Sequence, residues 1–200
     1  MKPIISEITD EWIEQKSPCD EALKWWSKKN KEPIAILKEL IAAKKYSWAN
    51  WMLPRTMAYP DYVSYAVFAA ESVIDIYEKK YHEDKRPRKA IEAAKKYIKN
   101  PTEENKKAAA NAAYAAYDAA ADAYAAAADA AAADAAYAAY AAYAAYDAAA
   151  AAYADAADAA AYAANAAADA AYAAAAAAND AKEKTQLKIL KYGMKLLRSK

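Results

Sequence analysis

Apolar and polar positions follow a helical rhythm along most of the chain, but one stretch departs far from ordinary usage. Residues 108–181 are written almost wholly in alanine, tyrosine and aspartate, with a few asparagines and no lysine, arginine, glycine or proline. Alanine is the strongest helix former, so a window this rich in it is predicted to be helical throughout by summed propensity. With Tyr114 at the origin and about 100° per residue, Tyr117 and Tyr124 fall at roughly 300° and 280°, and Asp118, Asp122 and Asp129 at roughly 40° to 80°. Tyrosine and aspartate therefore share one side, and the remaining arc is alanine alone. Asp134 falls in the middle of that bare arc, so one straight helix is not expected to cross residues 129–134. From Tyr137 onward the larger residues gather again, through Tyr140, Tyr143, Tyr146, Asp147, Tyr153, Asp158, Asp169 and Tyr172. A further break is placed at Asp155–Asp158, where an aspartate can cap a new start. The expectation is two long helices paired antiparallel through alanine faces, because small side chains let backbones approach to about the lower end of the usual 8–10 Å spacing. The tyrosines border the seam with their hydroxyls near solvent, as packing side chains or as a ligand-stacking row.

The rest of the chain reads as shorter helices. Residues 7–16 suggest one turn. Ser17, Pro18 and Asp20 look like a cap, a first helical proline and a first-turn acid ahead of CDEALKWWSKK. Pro33 opens IAILKELIAAKK, with Ile34, Leu37 and Ile41 at helical spacing. YSWANWMLPRTM follows, with Ser47 as the expected cap and Pro54 kinking or ending the element. Its Trp48, Trp51, Met52 and Leu53 are read as core, or as a partner-facing patch. After Pro60, DYVSYAVFAAESVIDIYEKKY is predicted to be one amphipathic helix of about five turns. YHEDKRPR is a loop, Pro87 starts RKAIEAAKKYI, and Asn100-Pro101-Thr102 recap a helix that begins at Glu103 and runs into the alanine tract. The end, AKEKTQLKILKYGMKLLRSK, is a basic amphipathic helix that Gly193 should weaken or end. Such helices bind membranes or acidic partners, or pack back on the acidic tract, and the last is the simplest account here. The fold class expected is all-α, a multi-helix bundle. Residues 1–107 form a helical subdomain, and residues 108–200 the alanine-rich helices and basic helix, packed with it as one unit.

Charge sharpens this division. The tract holds nine aspartates and no cation, −9 against a whole-chain net charge of +1, so the remainder carries +10, of which residues 182–200 supply +6. The halves either match each other within the molecule or leave an acidic strip for a basic partner. Arg86, Arg88 and Lys89 could bind phosphate, or pair with acids of the tract. The lone Cys19 excludes an internal disulfide and suits a reducing cytosol; it is read as a packing cysteine, with a thiol activated by a helix start as the alternative. The opening MKPIISEITDEW carries no apolar run of signal length. The recurring aspartates make a membrane span costly. A cytoplasmic protein is the expectation.

One glycine leaves no Walker loop and no dinucleotide fingerprint. One histidine and one cysteine leave no zinc cluster, and His82 has no nucleophile near it in sequence. The aspartates are read as a solvated face, not a metal site, so neither cofactor nor metal nor catalysis is expected.

The order SPCDEALKWW, YSWANWMLP, VFAAESVIDIYEKKY, DKRPRKAIEAAKKYI and then an alanine-rich tail resembles the immunity proteins of bacterial polymorphic toxin systems, the fifth numbered family of that group. The likeness covers nearly the whole chain; its most specific part is RPRKAIEAAKKYI with AAANAAYAAYDAAADAYAA after it. It implies an all-helical fold and toxin neutralisation, assigned from genomic setting, and it carries over no site residues. The expected function is a non-catalytic immunity or inhibitor protein. Its strip of Tyr114, Tyr117, Asp118, Asp122, Tyr124, Asp129, Tyr137, Tyr140, Tyr143 and Asp147 covers a basic toxin or nuclease by imitating phosphate charge. No membrane and no direct nucleic acid are expected as partners, and a homo-oligomer through alanine faces stays open. The alternatives are a mobile-element protein blocking a host defence enzyme, and an alanine-rich ice-binding helix, which the absence of threonine from the tract disfavours.

Overall fold

The computed structural model describes residues 5–26, 31–58, 60–125 and 178–198, and the side chains of 124, 125 and 178–181 fall outside that description. Within it the chain is an all-α multi-helix bundle. In order come α1 (Asp10–Gln15), α2 (Asp20–Trp26), α3 (Pro33–Ala42), α4 (Tyr46–Arg55), α5 (Asp61–Glu71), α6 (Ile74–Lys80), α7 (Arg86–Lys99), α8 (Glu103–Ala125) and α9 (Ala178–Arg198). A single antiparallel bridge joins Ile8 to Lys31. The predicted breaks at 129–134 and 155–158, and the pairing of one alanine-rich helix with another, lie outside the described residues.

Local chemistry accounts for most boundaries. Pro33 and Pro87 occupy the first turns of α3 and α7, where a missing N–H leaves no intrahelical bond unmade. Thr102 Oγ1 accepts from the Asn105 N–H at 3.2 Å, and the Asn105 amide donates to the Asn100 carbonyl at 2.8 Å, so the predicted recap at 100–102 forms. Pro54 ends α4 one residue later, at Arg55. Other expectations fail for identifiable reasons. Ser17 does not cap α2: it sits at φ 47°, closing α1 with its N–H on the Glu14 carbonyl, and α2 starts only at Asp20. Ser47 does not cap α4, because Lys44 at φ 56° and Lys45 close α3 with bonds to Ile41 and Leu40, and α4 begins directly after them, at Tyr46. The predicted five-turn helix is two helices. The Ser72 hydroxyl donates back to the Phe68 carbonyl at 2.9 Å, and the Ser72 and Val73 N–H groups reach back three residues, tightening the turn until it stops.

The core gathers around α5, whose Tyr62, Val63, Tyr65, Ala66, Val67, Ala69 and Ala70 are all buried. Tyr65 is fully enclosed and donates to Asn50 Oδ1 of α4 at 2.7 Å, so its hydroxyl is satisfied in the interior. Burial pushes that phenol well above its usual range. α7 packs on α5 and on α8, and α9 packs on α3, α4 and α5. Among the described residues the apolar side of the basic helix, with Ile189 and Leu190, lies on the N-terminal helices; the expected docking on the acidic tract falls mostly outside them. Gly193 does not end this helix. The helix continues to Arg198, and at Gly193 it crosses so close to α4 and α5 that a Cβ would stand 2.7 Å from Tyr65 Cε2 and closer still to Leu53 Cδ2. Tyr46 donates to Glu183 at 2.7 Å, and Lys44 lies 3.2 Å from the same carboxylate, fastening the start of α9 to the α3–α4 turn. Burial first, and then Glu183, push the Tyr46 phenol up to about 12.

Candidate functional site

α7 and α8 form a helical hairpin, and its seam decides what α8 shows to solvent. Pro87, Ala90, Ile91 and Ala94 of α7 are buried, as are Ala109, Ala113, Ala116, Ala119, Ala120 and Ala123 of α8. The alternation of four- and three-residue steps through 109, 113, 116, 120 and 123 keeps these methyls on one line. The α8 side of the seam is made of methyls alone, so α8 can lie against α7 with its opposite side turned to solvent. On that opposite side stand Tyr114 at 65% exposure, Tyr117 at 47%, and Asp118 and Asp122, both exposed. The wheel drawn from sequence therefore orients this part of the tract correctly, but the helix beneath it is α7, which carries alanine and isoleucine and is not part of the tract.

Not every predicted site residue is available in the same way. Asp122 Oδ2 accepts from Arg86 Nη2 at 2.8 Å. Arg86 also donates from Nη2 at 2.7 Å and from Nε at 3.0 Å to Asp84 Oδ2, which accepts from the Tyr77 hydroxyl at 2.6 Å as well. Burial disfavours ionisation of Asp84, but the Arg86 guanidinium, the Tyr77 hydroxyl and the Arg86 N–H together outweigh it and hold the carboxyl down to about 2. Burial, with the Asp84 charge next, pushes Tyr77 up. The hydrogen bonds to Asp84 and then Asp122 raise Arg86 further above its already high range. Among the described residues, the expected pairing of the arginines with tract acids occurs at Arg86. Arg88 turns to Glu78, at 2.6 Å from its Nε, and to Asp75, while Lys89 is exposed. The side chain of Tyr124, and Asp129, Tyr137, Tyr140, Tyr143 and Asp147 entirely, lie outside the described residues.

A second feature was only half anticipated. Ser17, Pro18, Cys19, Ala22, Ser47, Trp48 and Trp51 line an open cleft of about 350 Å³ between α2 and α4. Trp25 meets Trp48 edge-on at 6.2 Å, and Lys45 and Arg55 cover Trp48 and Trp51 at 3.8 and 4.2 Å. Cys19, expected to pack, is exposed at this cleft because the late start of α2 leaves it outside the helix. Tryptophan pairs one and three residues apart, Trp25 with Trp26 and Trp48 with Trp51, were the available signal. His82 is exposed beside Glu83. Among the described residues, no group of three or more His, Cys, Asp or Glu converges as a metal site would require, and no helix is long and apolar enough to cross a membrane. No family model matches the chain, and no curated protein or solved structure is significantly similar to it.

Proposed function

We propose that the chain is a non-catalytic binding protein that neutralises a basic toxin or nuclease, the role its resemblance to immunity proteins implies, and that it does so through the tyrosine and aspartate face of α8. The observation that carries this reading is the placement of Tyr114, Tyr117 and Asp118 together on the raised side of a helix whose other side is locked into the bundle. Tyrosine offers a large amphipathic contact with few rotatable bonds, and it is among the residues that dominate binding energy at interfaces. Asp118 adds charge next to it, and the tract as a sequence holds nine aspartates without a cation. Complementary charge of this kind accelerates encounter and sets its salt dependence.

The test is co-expression with each neighbouring gene whose product is toxic when expressed alone, scored by cell survival and by affinity of the purified pair. Survival is expected with the wild-type chain and is expected to be lost with the double variant Tyr114→Ala, Asp118→Lys, whose circular dichroism should be unchanged. Affinity should fall as salt is added. Protection that persists in the double variant, or an affinity indifferent to salt, would rule this reading out.

A further inference from the structure

Four of the chain's five tryptophans gather where α2 meets α4. Two of them, Trp48 and Trp51, wall the open cleft of about 350 Å³ together with Pro18 and Ala22, and Ser17, Cys19 and Ser47 complete its described lining. An adjoining apolar recess of about 30 Å³ shares Pro18, Ala22, Trp48 and Trp51 with the cleft and carries it inward to Trp26 and Met52, both buried. Trp25, Trp48 and Trp51 are only half-buried, so the cleft leaves costly aromatic surface in water. Apolar walls, a few small polar groups and this volume match the lower range of small-molecule sites. The walls are also fixed in advance. Trp25 meets Trp48 edge-on, and Arg55 lies over Trp51 while donating from Nη1 to the Trp51 carbonyl at 2.5 Å. Rings already held in place give up little freedom when a ligand arrives.

Charge then selects among flat molecules. Both indoles that wall the cleft carry a cation, Lys45 at 3.8 Å over Trp48 and Arg55 at 4.2 Å over Trp51. Among the described residues no carboxylate lines the cleft; Asp20 and Glu21 follow Cys19 into α2 and are exposed. Ser47 stands in the first turn of α4, the helix end where backbone N–H groups favour negative charge. A cationic ligand would meet two cations already on these rings, and a neutral one would gain stacking alone. We infer that the cleft binds a small planar aromatic acid, with its ring against Trp48 and Trp51 and its carboxylate toward Lys45 and Ser47. The cleft shares no residue with the α8 face, so this site stands apart from the proposed function.

Titration of the full chain with indole-3-acetate, indole-3-acetamide and tryptamine tests it, because the three share a ring and differ in charge. Nuclear magnetic resonance reads the indole N–H signals of Trp25, Trp48 and Trp51. Indole-3-acetate should shift them with a Kd of about 1 mM or tighter, the scale of a ligand this small. It should bind about fivefold more tightly than the amide, the scale of one exposed charge pair, with tryptamine weaker still. Lys45→Gln should narrow the gap between acid and amide to about twofold. Alkylation of Cys19 by N-ethylmaleimide should slow in proportion to the fraction of cleft filled by the acid. Ala22→Phe puts a ring of the chain's own into the cleft and should abolish the shifts, with circular dichroism checking its fold. No saturable shift, an amide or tryptamine that binds as tightly as the acid, or binding untouched by Ala22→Phe overturns the inference. So does a Cys19 that resists alkylation in the ligand-free chain, since the cleft would then be filled by the chain itself. None of these outcomes depends on toxin protection, so this inference and the proposed function can fail separately.

Discussion

At the scale of single residues, Asp84 does the most with the fewest atoms. One carboxylate accepts from the Tyr77 hydroxyl at the end of α6 and from the side chain and N–H of Arg86 at the start of α7, and through Arg86 it reaches Asp122 on α8. Its folded pKa is lowered from 3.8 to about 2, so its contribution is present in full above about pH 4 and drains away as pH falls toward about 2. Asp84→Asn is expected to lose stability at neutral pH and to flatten the acid limb in that window. Urea midpoints measured across it would show this, and parallel wild-type and variant curves would contradict it. The pairing was not legible from the loop sequence YHEDKRPR, which shows acids and cations side by side without saying which will fold inward. That Arg86 would reach an acid of the tract was legible, since helices joined by a three-residue turn must lie alongside each other.

At the scale of elements, α8 shows how far a periodic pattern carries. The wheel places the alanine arc, and the arc is buried; it does not say against what, because a row of methyls is complementary to any closely approaching helix. The occupant is α7, whose own sequence advertises an ordinary amphipathic helix. Tight seams tolerate added volume poorly: Ala120→Leu, at a fully buried position, is expected to cost about 1–3 kcal/mol. Ala121→Leu, one residue away and exposed, should stay within about 0.5 kcal/mol. Thermal melts of the two variants give the comparison directly, and equal losses would mean that the seam is not close-packed. Helix starts at Pro33, Pro87 and Thr102 were readable because each is set by its own side chain. The ends at Ser17, Lys44 and Ser72 were not, since ordinary L-residues hold a left-handed turn at the first two and a back-bonded hydroxyl stops the helix at the third. No glycine marks any of them.

For the molecule as a whole, the decisive contact is the return of α9 to the N-terminal helices after the long tract. Charge dominates the composition of this helix and drew the sequence reading to the tract; what holds its apolar side on the N-terminal helices is the burial of Ile189 and Leu190 and the stacking of Tyr192 on Phe68 at 4.0 Å. Gly193 is what allows so close a crossing. Gly193→Ala gains up to about 1 kcal/mol in helix propensity, but the new methyl meets Leu53 and Tyr65, an overpacking that costs about 1–3 kcal/mol, so a net loss is expected. Chemical denaturation reads the sign: an unchanged or raised midpoint would show that Leu53 and Tyr65 can step aside.

The alanine seam of the α7–α8 hairpin has one more consequence. Replacing Tyr114, Tyr117 or Asp118 changes what the outer edge of α8 says without moving the rod on which it is written. On the function proposed above, a lineage could rewrite that edge residue by residue to follow a changing partner, and the underlying hairpin would not have to be rebuilt.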